Sequence, residues 1–446
     1  MKKEAEGRPR AEYEWHEQVG QTVSLPGILG RLTVCPTFMF LFLLCLPVLA
    51  GDWTGKVAGE TRVFPEEKPF SEQHTAYPGL SFQPRYFHAW EEKGQVFEFE
   101  PFLRLDLFDA QRTHADLREL YWRKKSQAWE VRAGVSRVTW GVIECRRLED
   151  VINQQDLVED FSGKEKLGQP MANFTWLPEW GTWDLYILPW FRPLRYPGTP
   201  GRPTAPLHVD AGKTIYESSL HEANPDVALR FERTMGDWDF GMSQFYGTSR
   251  ETLLHLHWGD WTFGRDLKLG KLRHFIPLSR TVHVALVPYY EVMSQTGVDV
   301  QWTQGPWVLK GESIYRTAVE DPFVAATAGV ERTFGKVFNS KVDVTGLLEY
   351  NFDQRDPRTR IMAMGNGPFM GARVALNDSH STTIKAGTFV SPENGSTILA
   401  LDAECTLGKN WRASLRGRFF ENIPHKDLLS FFQRDDMIRA EVAWYF

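Results

Sequence analysis

The sequence predicts an all-β protein, a transmembrane antiparallel β-barrel of about 14–18 strands with an inward-folded loop or short helix. Three observations predict this fold class. Residues 51–446 repeatedly alternate apolar and polar side chains with a period of two, the alternating stretches are long, and the chain stops on an amphipathic stretch whose last residue is aromatic. Alternation with that period gives each strand one apolar and one polar face.

Period-two alternation is clearest in Val96–Phe108. One face carries Phe97, Phe99, Leu103, Leu105 and Leu107, and the other carries Glu98, Glu100, Arg104 and Asp106. The pattern recurs in Trp129–Ser136, Trp238–Phe245, Thr281–Tyr290, Val298–Trp302, Val342–Tyr350, Thr382–Val390, Thr397–Leu407, Trp411–Phe419 and Ile438–Phe446. Turn-rich stretches separate these segments, which predicts long antiparallel strands. In three further stretches the alternation is too weak to decide between strand and loop: Leu80–Trp90, Ala172–Trp176 and Leu272–Leu278.

Alternation alone does not distinguish a membrane barrel from a soluble sandwich, but strand length and aromatic placement favour the barrel. Many strands approach the ~9–11 residues of a tilted membrane crossing and exceed the usual ~5–6. Tryptophans gather at predicted strand ends, as interfacial girdles require. They are Trp129, Trp183, Trp238, Trp302, Trp307, Trp411 and Trp444.

The composition limits the class of the protein. Of the 446 residues, 42% are hydrophobic and 24% are charged, which excludes a disordered chain. The formal net charge is -6 and the basic residues are scattered, so we expect no nucleic-acid partner. Four cysteines are too few for a disulfide scaffold or a CxxC-type zinc site.

Residues 1–50 predict an N-terminal extension followed by a signal peptide. The apolar block from Cys35 to Leu49 is shorter than the ~20 residues that a membrane-spanning helix needs. Cleavage after Ala50 would export residues 51–446, the predicted barrel. An uncleaved anchor is the alternative.

The last strand resembles the C-terminal strand of Gram-negative outer-membrane β-barrels, which the barrel-assembly machinery reads through a terminal Phe and alternate apolar residues. Those positions here are Phe446, Trp444, Val442, Ala440 and Ile438. The resemblance implies the Gram-negative outer membrane as the location, with outer-membrane lipid and the assembly machinery as partners. The alternative is a chance aromatic residue at the end of a soluble β-protein.

Two segments break the strand pattern. In residues 141–171, Leu148, Val151, Ile152 and Gln155 have helical spacing, and acidic residues crowd the stretch at Glu144, Glu149, Asp150, Asp156, Glu159 and Asp160. This segment is interpreted as a constriction folded into the lumen, or alternatively as a solvated surface loop. Residues 192–214 contain five prolines, which predicts a long loop that caps the barrel mouth or only connects strands.

Four segments together resemble proteobacterial outer-membrane proteins of poorly defined function, which are porin-like barrels. They are Trp140–Met171, Trp180–Pro193, Tyr216–Ser219 and Pro225–Glu251. The resemblance implies an outer-membrane barrel with a structured inner segment. It brings neither a known substrate nor catalytic residues.

Motifs for catalysis are missing from the sequence. There is no GxSxG, HExxH, P-loop or CxxC pattern, and the histidines stand singly near acids. His255 and His257 share a strand face, but a zinc site needs at least a third ligand. We therefore predict no catalytic residue, no metal and no cofactor.

Charged side chains on the polar strand faces are predicted to line a water-filled lumen. They are Glu98, Glu100, Arg104, Asp106, Glu130, Arg132, Arg230, Glu232, Asp402, Glu404, Arg412, Arg416, Arg418, Arg439 and Glu441. The predicted function is a porin-like channel or transporter that passes small polar or amphipathic solutes, with a homo-oligomer as the expected form. The alternatives are a barrel-wall enzyme acting on lipid or peptide, and a soluble exported binding protein.

Overall fold

The chain forms a closed antiparallel β-barrel of 18 strands, as a computed structural model shows. The structure describes residues 51–446 except 91–92, 161, 206, 259–260, 264–283, 319–321, 356–364 and 425–431. The predicted signal peptide and the stretch Leu272–Leu278 lie outside the described residues. The fold class is confirmed, with the strand number at the upper end of the predicted range.

The strands follow one another in chain order as β1 (Asp52–Val63), β2 (Ala76–Trp90), β3 (Gln95–Asp106), β4 (His114–Lys125), β5 (Trp129–Ser136), β6 (Gln169–Trp176), β7 (Thr182–Leu188), β8 (Ile215–Tyr216), β9 (Asp226–Met235), β10 (Trp238–Thr248), β11 (Leu253–Trp258), β12 (Trp261–Phe263), β13 (Val284–Tyr290), β14 (Val292–Gln304), β15 (Trp307–Thr317), β16 (Phe323–Phe334), β17 (Asp343–Asp353), β18 (Gly367–Ala375), β19 (Thr383–Val390), β20 (Thr397–Leu407), β21 (Trp411–Glu421) and β22 (Met437–Tyr445). Short 3₁₀ turns occupy Ala211–Lys213, His221–Ala223 and Val337–Asn339. Among the described residues, no helix is long and apolar enough to cross a membrane.

The barrel closes because β1 pairs with both β2 and β22. Strands that follow each other in sequence are neighbours, except that β7 pairs with β9 and β10 pairs with β14. The four remaining strands, β8 and β11 to β13, form a separate small sheet. Two of the stretches left open by the sequence are strands, since Leu80–Trp90 lies in β2 and Ala172–Trp176 lies in β6.

The connections alternate between the two ends of the barrel. Those after β1, β3, β5, β7, β10, β15, β17, β19 and β21 lie at one end, here called the long-loop end. The others lie at the short-turn end, where β1 begins and β22 ends. Both segments that break the strand pattern in the sequence therefore leave the barrel wall at the long-loop end.

Side chains alternate between the outside and the inside of the wall. Along β10, Trp238, Met242 and Tyr246 point outward and are exposed, whereas Ser243 and Phe245 point inward and are buried. The seven tryptophans singled out in the sequence all lie close to the short-turn end of their strands. Near the opposite end the outer face carries exposed Tyr246, Tyr315, Tyr350 and Phe352.

The connection from β5 to β6, residues 137–168 and here called the inner segment, is folded into the lumen. Its residues from Leu148 to Asp160 are almost all buried, so the alternative of a solvated surface loop is wrong. Of the predicted loop or short helix, the loop is the form that the structure has, because the described residues of this segment contain no helix. The last three residues of the predicted constriction, Gln169 to Met171, belong to β6.

The apolar residues that suggested a helix pack against different parts of the wall. Leu148 contacts a cluster with Ile314 and Phe323, on β15 and β16. Val151 and Ile152 join a second cluster whose wall residues lie on β6, β7, β9, β10 and β14: Met171, Tyr186, Leu188, Ala228, Phe245 and Met293. Helical spacing here reflects burial on two sides of the lumen rather than one face of a helix.

Candidate functional site: the filled lumen

The inner segment has two arms that are anchored to the wall by different chemistry. The first arm is residues 141–150 and the second arm is residues 154–160. The wall carboxylate of Glu312, on β15, accepts backbone N–H bonds from Val142 at 2.5 Å, Ile143 at 2.8 Å and Leu148 at 2.8 Å. These three backbone N–H groups thus find their acceptor on the barrel wall rather than within the segment.

Further wall acids hold the first arm from β17. Glu349 accepts the N–H groups of Glu144 and Cys145, each at 2.9 Å. Asp353 pairs with Arg146 at 2.7 Å. The carboxylates of Glu312 and Glu349 are buried, so their hydrogen bonds with the arm compensate for the loss of water.

Gly141 begins the first arm in a conformation that suits glycine. Its φ is +90°, and a Cβ at this position would lie 2.5 Å from Glu312 Oε1. Any side chain here would push the arm away from the carboxylate that holds it.

Glu149 ends the first arm in an ion-pair cluster on the opposite wall. Arg230, on β9, binds Glu149 at 2.5 Å and Asp299, on β14, at 2.7 Å. One guanidinium thus serves two buried carboxylates. Burial, with the neighbouring carboxylate of Asp299, raises the pKa of Glu149 to about 8, although Arg230 acts to lower it. With two carboxylates facing one guanidinium, the neutral form of Glu149 is favoured to higher pH than in an exposed glutamate.

The second arm inserts its own carboxylates among wall arginines. Glu159 accepts from Arg104 Nε at 3.0 Å and lies 3.7 Å from Arg112, which also donates to the Val158 carbonyl at 2.7 Å. Arg439 donates to the Glu159 carbonyl at 3.3 Å. Burial alone would raise the pKa of Glu159, but Arg112 and Arg104 outweigh burial and hold that pKa well below its ordinary value.

Glu159 balances the charge of a buried cluster on β1, β3, β22 and the β3–β4 connection. Glu60 contacts Arg104, Arg112 and Arg439, and Asp106 contacts Arg62 and Arg112. The four basic members are Arg62, Arg104, Arg112 and Arg439, and the four acidic members are Glu60, Asp106, Glu159 and Glu441. Without the inner segment this part of the wall would have an uncompensated positive charge.

Asp156 and Asp160 extend the second arm to other strands. Asp156 pairs with Arg118, on β4, at 2.7 Å, and Asp160 lies 3.5 Å from Arg416, on β21. Together with the first arm, these contacts connect the inner segment to strands on all sides of the barrel.

The predicted lumen charges lie on the inner wall, and most have an ionic partner. Beyond the pairs described above, the contacts are Glu98 with Arg85, Glu100 with Arg137, Glu130 with Arg132, Glu232 with Arg230, Asp402 with Arg418, Glu404 with Arg412 and Arg439 with Glu441. The remaining acids of the predicted constriction pair as Glu144 with Arg373 and Asp150 with Lys166. Their role in selectivity stays a prediction.

Several charged residues that bind the inner segment or complete its ion-pair clusters were not predicted from the sequence. Glu60, Arg62, Arg112, Arg118, Asp299, Glu312, Glu349 and Asp353 are examples. A signal existed for some of them, because Glu312 alternates with the outward Trp307 and Leu309 along β15. The period-two pattern of β15 places Glu312 on the inward face.

The proposed C-terminal assembly signal completes the barrel seam. Phe446 and Gly55 exchange two backbone hydrogen bonds of 3.1 Å. Trp444 is paired with Val57 on β1 and with Trp411 on β21, and it is exposed on the outer face. These positions are structural facts, whereas recognition by an assembly machinery stays a prediction.

Residues 192–214 pack over the inner segment at the long-loop end. Arg202 is fully buried and pairs with Asp435, in the β21–β22 connection, at 2.7 Å. Gly201 accepts from Gln73, in the β1–β2 connection, at 3.0 Å. The proline-rich loop, which follows β7, therefore reaches the connections on either side of the seam between β1 and β22. Its role as a cap of the mouth stays a prediction.

A cavity of about 600 Å³ lies between the inner segment and this loop. Its size falls in the ~300–1,000 Å³ range of small-molecule sites. Apolar lining residues include Leu148, Val151, Leu194, Ile314 and Phe432. The described basic lining residues are Arg146, Arg147, Lys164, Lys166, Arg250, Arg316 and Lys385, and the acidic ones are Glu144, Asp150 and Glu251.

The histidines considered in the sequence are dispersed. His114 Nδ1 contacts the Arg112 carbonyl at 2.7 Å, His380 Nδ1 contacts the Thr406 carbonyl at 2.9 Å, and His255 stacks on Tyr289. Within the described part of the chain, no group of three or more His, Cys, Asp or Glu side chains is arranged to hold a metal ion.

No protein-family model and no curated protein sequence matches the chain. Among solved structures, the chain is similar to Wzi of Escherichia coli, which is described as an outer-membrane, carbohydrate-binding β-barrel involved in group 1 capsule assembly. The two sequences are 12% identical, the TM-score is 0.46, and the match covers 92% of this chain and 88% of Wzi. A mutant of the Rh. blastica porin is 11% identical with a TM-score of 0.44, over 89% of this chain and 100% of the porin. At such low sequence identities and TM-scores, neither protein indicates what this chain binds or passes.

Proposed function

We propose that the protein is an outer-membrane barrel that admits small polar or amphipathic solutes into an internal cavity, with a lumen that the inner segment keeps closed at rest. It would act as a gated transporter or solute-binding barrel rather than as a permanently open pore. The observation that carries this proposal is the crossing of the lumen by a segment fixed to the wall on all sides.

The outer surface supports the membrane location. Exposed apolar side chains follow the outward positions of the strands, tryptophans gather at the short-turn end and tyrosines at the other. This arrangement is typical of a barrel whose apolar band faces lipid between two aromatic girdles. The Gram-negative outer membrane, its lipid, an assembly machinery and a homo-oligomeric state belong to the same proposal.

The arrangement of the charges supports a closed resting state. An open channel would leave inward charges in water, where they create a field along the passage. Here Arg104, Arg230 and Glu159 are each less than a tenth exposed and have ionic partners. Opening would require these pairs to separate, which links passage of a solute to movement of the inner segment.

Conductance in planar lipid bilayers tests the proposal. We expect the purified, heat-modifiable protein to be silent or to open only briefly. Replacing residues 141–165 with a Gly/Ser linker should give stable conductance steps, and the double variant Glu312→Gln with Glu349→Gln should open more often. Glu404→Gln, which changes an inward acid remote from the inner segment, is the matched control.

Two results would contradict the closed resting state. One is steady conductance of the unaltered protein at the level of the linker variant. The other is a silent linker variant whose heat-modifiability shows a folded barrel. Sedimentation of the protein away from outer-membrane fractions would contradict the proposed location.

A further inference from the structure

The cavity between the inner segment and the proline-rich loop has an excess of positive charge. Its described lining contains seven basic and three acidic side chains. Four of the basic residues are engaged within the protein: Arg146 with Asp353, Lys166 with Asp150, Arg250 with Asp226 and Arg316 with Glu251. These four stabilise the fold and leave little charge for a ligand.

The other three basic residues are Arg147, Lys164 and Lys385, and among the described residues only Lys164 lies within 4.0 Å of a carboxylate. Arg147 donates to the Ile143 carbonyl at 3.1 Å, which leaves its charge uncompensated. Lys164 lies 3.8 Å from Asp402, beyond hydrogen-bond distance. Lys385 makes no ion pair with a described carboxylate, although its strand register places it opposite Asp402.

Asp402 brings two of these lysines together without neutralising them. Its closest partner is Arg418 at 2.8 Å, so its charge is already matched. Lys164 approaches Asp402 from the inner segment, and Lys385 faces it from the neighbouring strand β19. An uncompensated pair of ammonium groups at a cavity wall attracts an anion.

We propose that this cavity binds a small organic anion, with a carboxylate, sulfate or phosphate group between Lys164 and Lys385 and a second anionic group at Arg147. The apolar part of the ligand would lie on Leu148, Ile314 and Phe432, which line the same cavity. This inference rests on the proposed function and adds to it the charge of the solute.

Titration calorimetry in non-ionic detergent tests the charge preference. The probe is trimesate, a benzene ring with three carboxylates, and the neutral control is trimesamide, which has the same ring and three amides. We expect trimesate to bind at low salt and to weaken as salt screens the charges. Trimesamide should bind at least about tenfold more weakly than trimesate, because a loss of only ~1.4 kcal/mol of charge interaction lowers the affinity by a factor of ten.

Variants locate the binding site. Lys164→Gln with Lys385→Gln should weaken trimesate binding about tenfold, and addition of Arg147→Gln should weaken it further. Lys409→Gln is the matched control, since Lys409 is exposed in the β20–β21 turn at the short-turn end. Its trimesate affinity should stay within about twofold, and heat-modifiability of every variant checks that the barrel is folded.

The outcomes separate this inference from the proposed function. Equal binding of trimesate and trimesamide, or trimesate binding that the lysine variants leave unchanged, would overturn the anion site while solute binding in a closed barrel stands. Absence of trimesate binding to the folded protein would also overturn it. Steady conductance of the unaltered protein would instead overturn the closed resting state.

Discussion

The two arms of the inner segment are both buried in the lumen, yet the charges that hold them lie on opposite partners. The first arm, residues 141–150, gives backbone N–H groups to the wall carboxylates Glu312 and Glu349. The second arm, residues 154–160, gives the carboxylates of Asp156 and Glu159 to wall arginines. The backbone attachments of the first arm depend on the wall sequence, and only Arg146 and Glu149 add side-chain pairs with the wall acid Asp353 and the wall base Arg230. The second attachment depends on the carboxylates of the segment throughout.

This difference decides which substitutions leave a buried charge without a partner. A change of Glu159 leaves Arg104 and Arg112 with an incomplete set of acids in a region with almost no access to water. Glu312 accepts hydrogen bonds only from neutral backbone N–H groups. Its replacement by glutamine therefore leaves no cation without a partner, and one acceptor oxygen remains. The second arm should therefore be the more sensitive to a single substitution.

Glu159→Gln is expected to have the largest effect. Removal of one partner from a buried ion-pair network costs about 3–5 kcal/mol of the free energy of unfolding. Urea unfolding in detergent micelles, followed by tryptophan fluorescence, measures this loss. The control is Glu404→Gln, whose carboxylate is about half exposed and 4.0 Å from Arg412. Equal stability of the two variants would contradict the buried network around Glu159.

Glu312→Gln is expected to have the next largest effect, and to act on the first arm. Val142 and Ile143 donate to one carboxylate oxygen and Leu148 donates to the other, so glutamine, which has a single amide oxygen, leaves at least one of these N–H groups facing an NH2 group. This loss should cost about 1–3 kcal/mol. Cys145 reports the change, because burial raises the pKa of its thiol to about 12 and keeps it unreactive at neutral pH.

Maleimide labelling of Cys145 is the measurement, in a protein whose Cys35, Cys45 and Cys405 are replaced by serine. We expect Glu312→Gln to label faster than the parent and Glu331→Gln, which pairs with Lys310 on the same wall, to label like the parent. A parent protein that labels as fast as the Glu312→Gln variant would show that the first arm is not held closed.

The sequence predicted the barrel better than its contents, for a physical reason. Strand faces depend on neighbours two residues apart, so alternation in β3 or β22 indicates which side chains point inward. Contacts across the lumen join residues distant in sequence, such as Glu144 with Glu349, and no local pattern encodes them. The acid-rich composition of residues 141–171 indicated a special segment without indicating its partners.

The predicted helix shows the same limit. Leu148, Val151 and Ile152 have the right spacing, and all three are buried. Leu148 packs with Ile314 and Phe323, whereas Val151 and Ile152 join a different cluster, so these residues do not share one face of a helix. Tertiary packing therefore overrode the apolar periodicity.

The two arms should also respond oppositely to pH. The pKa of Glu149 is raised to about 8 in the folded protein, so its stabilising contribution decreases as pH rises from the ordinary value of 4.5 through about 8. The pKa of Glu159 is lowered, so its contribution is complete above pH 4.5 and decreases only as pH falls below that value.

Hydrogen–deuterium exchange, corrected for the intrinsic effect of pH, measures both responses. We expect peptides from the first arm to lose protection progressively between about pH 5 and 8, while peptides from the second arm keep it. Glu149→Gln, which keeps the neutral form at all pH values, should abolish this response. Loss of protection over the same pH range in the second arm alone would contradict the assignment.

Arg412→Gln should have the smallest effect, and it compares an exposed wall charge with the buried charges that hold the two arms. Arg412 is an inward charge of the wall, like Arg104, but it lies 4.0 Å from Glu404 and both side chains are about half exposed. Solvent screens such a pair, so its removal should change the free energy of unfolding by no more than about 0.5 kcal/mol. Exchange in both arms should also stay unchanged, because neither arm has an ionic contact with Arg412. If Arg412→Gln instead destabilised the barrel as much as Glu159→Gln, wall charge in general would hold the structure together, and the distinction between the two arms would lose its basis.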